Sequence, residues 1–285
     1  MTHPSRDPAP SGPPEPQNGA DSRFTPAVIA QRSALELLLT AVLLFGVVTI
    51  VRWVAGPSPL SAAVPQIHLQ LLIIGGGVGL LLAALIISPP GRISGGHINP
   101  AISLAMWRFG VFPGAAVTPY AVAQLVGSLL GVLAARALWG PVTGRPPVTH
   151  AALQPATGWT AAELFVVEAV SMGVIVYLVG FFLQSPRLAP LVPWLVGLLI
   201  GGAIAGLGTT SGGSDNPARQ FGPAVVSGRL GFLWVYLVAP MVGAVLAALV
   251  LQQVRTCREV RTHRLCGTRA DGSALTAEDT PDTRP

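Results

Sequence analysis

The sequence has no lysine, few acids and few aromatic residues, and each shortage narrows what the chain can be. Only 10% of its 285 residues are charged while 51% are hydrophobic; a soluble domain has about 25% charged residues. That imbalance favours a membrane protein over a secreted or cytoplasmic enzyme. All 17 basic residues are arginine, and with 27 prolines and 33 glycines the pattern is consistent with biased codon composition. The formal net charge of +5 does not indicate a nucleic-acid partner, because arginines between Ser33 and Val254 are few and scattered. The basic cluster, Arg255, Arg258, Arg261, Arg264 and Arg269, follows the last apolar stretch. A phosphate-binding groove needs such residues on one folded, water-exposed face; here they read as the cytoplasmic flank of a final spanning helix. Cysteine is limited to Cys257 and Cys266, with His263 between them. Two thiols without a further compact ligand set make an incomplete zinc site, and cytoplasmic thiols stay reduced. No metal or other cofactor is implied. No apolar run begins before Ser33, which argues against a conventional cleaved signal peptide.

Between polar ends lie six apolar stretches: Ser33–Val54, Ile67–Ile87, Ala115–Trp139, Trp159–Phe182, Leu188–Leu207 and Phe232–Val254. Each approaches the roughly 20 helical residues that cross a hydrocarbon core about 30 Å thick. Residues 33–254 therefore read as one membrane domain. Residues 1–32 are expected to form a disordered cytoplasmic tail, and 255–285 a basic and then polar C-terminal tail. Arg92 and Arg108 flank the connection after the second span, and Arg187 lies between the fourth and fifth. The stretch from Ala55 to Gln66 carries no formal charge. Arg145 and Arg229 weaken this asymmetry without reversing it, so both termini are expected in the cytoplasm.

The chain repeats itself, in halves of about 33–139 and 159–254. Each half has an acid early in its first helix, Glu36 or Glu168, and later an Asn-Pro-Ala turn after a glycine pair. The first turn runs Ser94-Gly95-Gly96-His97-Ile98-Asn99-Pro100-Ala101 and the second Ser211-Gly212-Gly213-Ser214-Asp215-Asn216-Pro217-Ala218. Three spans per half force the second copy to lie inverted relative to the first. In each turn Asn can cap a helix and Pro can occupy its first position, where a missing N–H costs nothing. The helices that follow, Ala101–Phe109 and Ala218–Val226, are too short to span, since ten helical residues cover only about 15 Å. Entering from opposite faces, they would meet N-terminus to N-terminus at mid-bilayer, where non-helical backbone must be buried or line an aqueous path. Both positive helix ends would then oppose a cation at one point. Asn99 and Asn216 would cap with their oxygens and turn their NH₂ groups to the lumen. Arg219, in the first turn of the second short helix, is an intramembrane charge that needs an aqueous path or a partner.

These features resemble the aquaporin family, also called the major intrinsic proteins, over essentially Ser33–Val254. The resemblance also rests on Tyr120 to Gln124 with Gly127, on Arg219 with Phe221-Gly222-Pro223, and on Trp234-Val235-Tyr236 with Pro240 and Gly243. It implies an all-α, aquaporin-like bundle of six transmembrane helices and two half-helices in an inverted repeat. It further implies a homotetramer in the cell membrane, surrounded by lipid, each subunit passing water or small neutral solutes such as glycerol and excluding ions. By the same resemblance Arg219 belongs to a selectivity filter, with Gly213, Ile204 and either Gly79 or Val78, depending on whether Pro89-Pro90 carries a one-residue insertion. Water-selective relatives usually place an aromatic at the second-span position and a histidine where Ile204 stands. Their absence predicts a wider, more apolar constriction. The 117-residue separation of Asn99 and Asn216 is compact, as in water-selective relatives, and Gln220 replaces the Asp common in glycerol channels.

Asp215 departs from the family pattern, which is apolar there; four residues before Arg219, it is expected to pair with that guanidinium or to cap N–H groups at the outer mouth. Glu36 and Glu168 are expected to support the loops around the half-helices, with Gln124 and His97 as further structural supports. Glu163 is expected near a helix end, facing water. Gly75, Gly76, Gly77 and Gly79 are expected to admit a neighbouring helix. No residue set supplies a nucleophile, base and orienter, so the chain is not read as an enzyme. A secondary transporter of a small solute is the alternative, since inverted repeats and broken helices serve there too.

Overall fold

The computed structural model describes residues 24–254. The expectations for residues 1–23 and for the C-terminal tail, including Cys257, Cys266, His263 and the arginines from Arg255 onward, lie outside the described residues. Among the described residues all regular structure is helical. In chain order the helices are α1 (Pro26–Val54), α2 (Pro59–Ala63), α3 (Ile67–Ile87), α4 (Pro89–Ser94), α5 (Pro100–Arg108), α6 (Gly114–Trp139), α7 (Ala161–Leu183), α8 (Val192–Leu207), α9 (Pro217–Ser227) and α10 (Leu233–Val254). Six are long and apolar enough to cross a membrane: α1, α3, α6, α7, α10, and α8 together with the 3₁₀ turn Ala189–Leu191 that leads into it.

Local chemistry sets the boundaries. The first helix begins at Pro26, seven residues before the apolar run, so residues 26–32 are helix and not tail. Thr25 accepts the Val28 N–H at 3.3 Å and Pro26 fills the first position, a start signal that needs no apolar residue. Arg32 is buried, with its guanidinium 5.0 Å from the Phe24 ring centroid. Ser88 caps α4 through Gly91 N–H at 3.2 Å, ahead of Pro89-Pro90. A capping box opens α7: Glu163 N–H donates to Thr160 Oγ1 at 3.2 Å, and Thr160 N–H returns to Glu163 Oε2 at 2.7 Å. Glu163 is thus a cap at an exposed helix start.

The helices pair by the symmetry of the repeat. The principal contacts are α1 with α6, its counterpart α7 with α10, and α3 with α8 at the centre. Each half-helix crosses to the other half: α9 packs on α6, and α5 on α10. The α3–α8 crossing depends on glycine. A Cβ on Gly75 would run into the Gly201 carbonyl, and one on Gly79 into that of Gly197. Backbones this close are the usual mode of helix association in lipid. Gly77 meets only the Ile50 side chain, and Gly76 has open space around it, so two of the four glycines set the crossing. Outward-facing apolar residues such as Leu72, Leu80 and Leu198 are 59%, 63% and 72% exposed. Such a surface suits hydrocarbon and not water.

Candidate functional site

The half-helices α5 and α9 contain nine and 11 residues, about 14 and 16 Å at 1.5 Å per residue, and their N-termini meet inside the bundle. Each approach turn uses two glycines with positive φ, Gly95 (102°) and Gly96 (58°), then Gly212 (95°) and Gly213 (60°). The residue before each asparagine is also left-handed although it is not glycine: Ile98 has φ 52° and Asp215 φ 49°. Such a conformation costs about 1–3 kcal/mol and persists only where its surroundings impose it. The imposed conformation turns each carbonyl to the opposite half. Asn99 Nδ2 donates to Asp215 O at 2.8 Å, and Asn216 Nδ2 donates to Ile98 O at 2.9 Å. The side-chain oxygens cap the helices, Asn99 Oδ1 accepting Ala101 N–H at 2.9 Å and Asn216 Oδ1 accepting Ala218 and Arg219 N–H at 2.9 and 3.3 Å. The expectation that both amide groups turn wholly to the lumen is therefore corrected. Each spends one N–H on the other half, although both asparagines still line the cavity. Pro100, Ala101, Pro217 and Ala218 are buried in the first turns behind them.

Two buried carboxylates hold the turns from behind. Glu36 Oε1 accepts Ser94 Oγ–H at 2.7 Å and His97 N–H at 3.0 Å; its Oε2 accepts Ile98 N–H at 2.6 Å and Gln124 Nε2–H at 2.8 Å. Glu168 accepts Ser214 N–H at 3.2 Å and Asp215 N–H at 2.9 Å on separate oxygens. Tyr120 donates its hydroxyl to Ser94 O at 2.7 Å, and Tyr236 donates to Ser211 O at 2.6 Å. The halves differ four residues after each tyrosine. Gln124 serves Glu36, whereas the corresponding residue is Pro240, which has no donor. His97 lies beside Asn99, with Nδ1 3.0 Å from Ser103 Oγ and its ring against Phe112 and Tyr120.

Asp215 is not where the four-residue spacing predicts. Its left-handed backbone sends the side chain towards α7, facing Ser171 and Glu168. It is fully buried, and neither carboxylate oxygen has a hydrogen bond of ordinary length, the Ser171 side chain being the polar group that faces it. The expected pairing with Arg219, and the alternative role as a cap at the outer mouth, are both replaced by burial behind the turn.

The lumen itself is narrow. Its cavity admits the centres of water-sized molecules over about 30 Å³. The polar groups on its wall are Asn99, Asn216, Arg219, Ser214 and His97, and the remainder is glycine and aliphatic side chains, among them Val78, Ile175, Ile200 and Ile204. Of the two candidates on α3, Val78 faces this space while Gly79 packs on Gly197. Gly213 lines the lumen as well, and a Cβ there would meet Ala203 O at 2.5 Å.

Arg219 is held from the loop between α6 and α7. Its Nη1 donates to Ala151 O at 2.7 Å and to Gln220 Oε1 at 3.3 Å. Thr149, His150 and Ala151 form a left-handed run, with φ of 44°, 55° and 59°. His150 is buried and its Nδ1 has no partner. Burial, and then the nearby Arg136 cation, hold its pKa below the ordinary histidine value. Sequence reasoning missed this loop because its contribution is a backbone carbonyl, which any residue carries. Gln220 was the one available signal, as an amide directly after an intramembrane arginine.

Comparison with known proteins agrees with this architecture. Residues 22–251 match the family model described as "Major intrinsic protein". The chain is 39% identical over 181 residues to the probable aquaporin AqpM of Archaeoglobus fulgidus, covering 61% of this chain and 73% of that protein. It is 33% identical over 219 residues to the propanediol uptake facilitator PduF of Citrobacter freundii, covering 66% and 80%. The X-ray structure of the aquaglyceroporin from Plasmodium falciparum superposes with a TM-score of 0.66 at 22% identity, covering 79% of this chain and 96% of that one.

Proposed function

The chain belongs to the major intrinsic protein family, and from that premise we propose a passive channel that conducts small neutral polyols together with water. Family membership makes it a multi-pass membrane channel for water or small solutes. The choice of solute rests on one observation: beside Arg219 the lumen is walled by Val78, Ile204 and Gly213, and among the described residues no Phe, Tyr or Trp lines it. An aliphatic wall accommodates the carbon face of a diol or triol, while Arg219 and the asparagines meet its hydroxyls. Glycerol and propanediol, the latter in the name of the Citrobacter freundii relative, are the solutes this wall suits.

Ion exclusion in this reading comes from three features. The N-termini of α5 and α9 oppose a cation at mid-membrane, Arg219 adds a full positive charge, and the narrow lumen strips hydration that an ion replaces only at high cost. Glu36, Glu168, Gln124 and His97 serve as supports of the turns. We place both termini in the cytoplasm on the arginine asymmetry, and assign a homotetramer in the cell membrane by family.

Stopped-flow light scattering of vesicles holding the purified protein tests the reading against water, glycerol, 1,2-propanediol and urea gradients. Non-saturating glycerol and propanediol flux, above that of empty vesicles and independent of added Na⁺ or a proton gradient, is expected. Polyol permeability at the empty-vesicle level would refute the polyol assignment. Saturable, ion-dependent uptake would instead identify a carrier.

A further inference from the structure

Behind the second Asn-Pro-Ala turn the repeat breaks its own pattern. In the first half the residue before Asn99 is Ile98, and three residues beyond Glu36 stands Leu39; both are buried in the apolar core. The matching residues of the second half are Asp215 and Ser171. A carboxyl group and a hydroxyl thus face one another where the first half keeps two apolar side chains. Asp215 is 0% exposed, and neither of its side-chain oxygens receives a hydrogen bond of ordinary length. Glu168 lies directly beside it, since Glu168 Oε2 accepts the Asp215 N–H at 2.9 Å. Of the two, Glu168 is the anion: each of its oxygens accepts a backbone N–H. The other charged or titratable groups facing this recess are Arg219 on α9 and Tyr236 on α10. Arg219 Nη1 is committed to Ala151 O and Gln220 Oε1, and Tyr236 donates its hydroxyl to Ser211 O. The α9 N-terminus also favours an anion, but its Ala218 and Arg219 N–H groups are taken by Asn216 Oδ1. One guanidinium does not balance two carboxylates away from water, and like charges this close do not both ionise. A neutral carboxyl group needs only one acceptor for its O–H, and the Ser171 hydroxyl is one.

We propose that this recess is a proton-binding site: Asp215 holds one proton beside the ionised Glu168, and release of that proton closes the pore. The effect on flux rests on the channel reading above; the bound proton does not. The coupling runs through one residue. The Asp215 N–H is held by Glu168, and its carbonyl accepts Asn99 Nδ2 at 2.8 Å, so Asp215 joins the recess to the centre of the lumen. On ionisation the carboxyl group becomes a carboxylate and its proton passes to water. Two carboxylates then repel each other across a single peptide group. Glu168 is fixed on α7 and the Asp215 side chain is enclosed, so the turn is the part that moves. Its carbonyl leaves Asn99, and the freed amide swings into a lumen only wide enough for water-sized molecules.

Infrared spectra and water flux of the parent and of Asp215→Asn, both in lipid vesicles, test this together. Asparagine matches the size of aspartate, tolerates the left-handed backbone and cannot ionise. The titration runs to about pH 10, because buried carboxyl groups keep their protons as high as about pH 8–9. At neutral pH the parent should show the carbonyl stretch of an un-ionised carboxyl group, lost on alkalinisation and missing from D215N. Its water permeability should fall about fivefold over the same range, the factor that corresponds to one net hydrogen bond, while that of D215N stays level. A neutral-pH spectrum without the band, or a band that D215N retains, overturns the proposal. So does a band that disappears when sodium chloride replaces choline chloride, which would make a metal cation the ligand. A band that titrates while the parent's flux ignores pH overturns the link to the pore. If D215N does not assemble, the parent's band and permeability must still titrate together, and their failure to do so overturns the proposal. A parent without flux at any pH overturns the channel reading, and the band then decides on the proton alone.

Discussion

Replacing Glu36 with glutamine should destabilise the fold distinctly more than the same change at Glu168, although the two occupy matching places in the repeat. Glu36 receives four donors, two on each oxygen. A glutamine keeps one oxygen, so whichever way the amide turns, two buried donors face an NH₂ group. Each buried donor left without an acceptor costs about 1–3 kcal/mol, giving about 2–6 kcal/mol for E36Q. Glu168 takes the Ser214 and Asp215 N–H groups on separate oxygens, and its third donor, the Ser211 side chain, is a hydroxyl free to rotate to another acceptor. The amide of E168Q can turn so that only the Asp215 N–H is lost, at about 1–3 kcal/mol. The gap between the variants should therefore be at least about 1–3 kcal/mol, the cost of one further orphaned donor. Equilibrium SDS titration of each purified variant in mixed micelles, followed by tryptophan fluorescence, measures it. E168Q unfolding as early as E36Q, or earlier, would refute this account of the supports.

Two further outcomes follow from the geometry. Gly79→Ala should lower stability by about 1–3 kcal/mol through overpacking, because its Cβ meets the backbone of Gly197; Gly76→Ala, in open space on the same helix, should not. Equal shifts in thermal unfolding for the pair would contradict the α3–α8 crossing. The third concerns pH. His150 has its pKa held below the ordinary value by burial and Arg136, so the folded loop favours the neutral ring. The stability this contributes is present above the ordinary value of about 6.5 and is lost as pH falls towards the lowered one. The elements packed on this turn, α1, α9 and the 3₁₀ turn Gly140–Gly144, bring Arg52 and Arg219, with Arg136 and Arg145 close in sequence, while Arg32 and the fully engaged Glu36 lie towards the far end of α1. Cations dominate, so protonation meets repulsion. Hydrogen exchange at residues 149–153 should accelerate on acidification in the parent and not in His150→Gln; the same acid response in both would exclude the imidazole as its source.

Much of the fold was legible because its strongest signals are physical necessities. A span must be apolar over the bilayer's thickness, so all six were visible, and their ends moved by only a residue or two except at the starts of α1 and of α8, where the 3₁₀ turn Ala189–Leu191 fills most of the difference. The first helix starts at Thr25-Pro26, a capping signal hidden among polar residues. The Asn-Pro-Ala turns were visible because cap, first-turn proline and glycines fall in order. What escaped depends on backbone direction. The placement of Asp215 follows from a positive φ, while spacing alone suggested a partner on the same helix. Whether Gly79 or Val78 faces the lumen is a matter of helix phase. The answer, Val78, is the one that allows for the extra residue at Pro89-Pro90, where α4 begins. The hold of Ala151 O on Arg219 leaves no mark in side-chain identity.

The exchange between Asn99 and Asp215 O, returned by Asn216 and Ile98 O, is isologous, like the contact between identical partners across a dimer axis. Neither half can satisfy its own amide and carbonyl there, and hydrocarbon offers no substitute for the missing partner. The middle of the pore thus closes only when both halves are in place. At its centre this single chain is built as a dimer whose two subunits share one backbone.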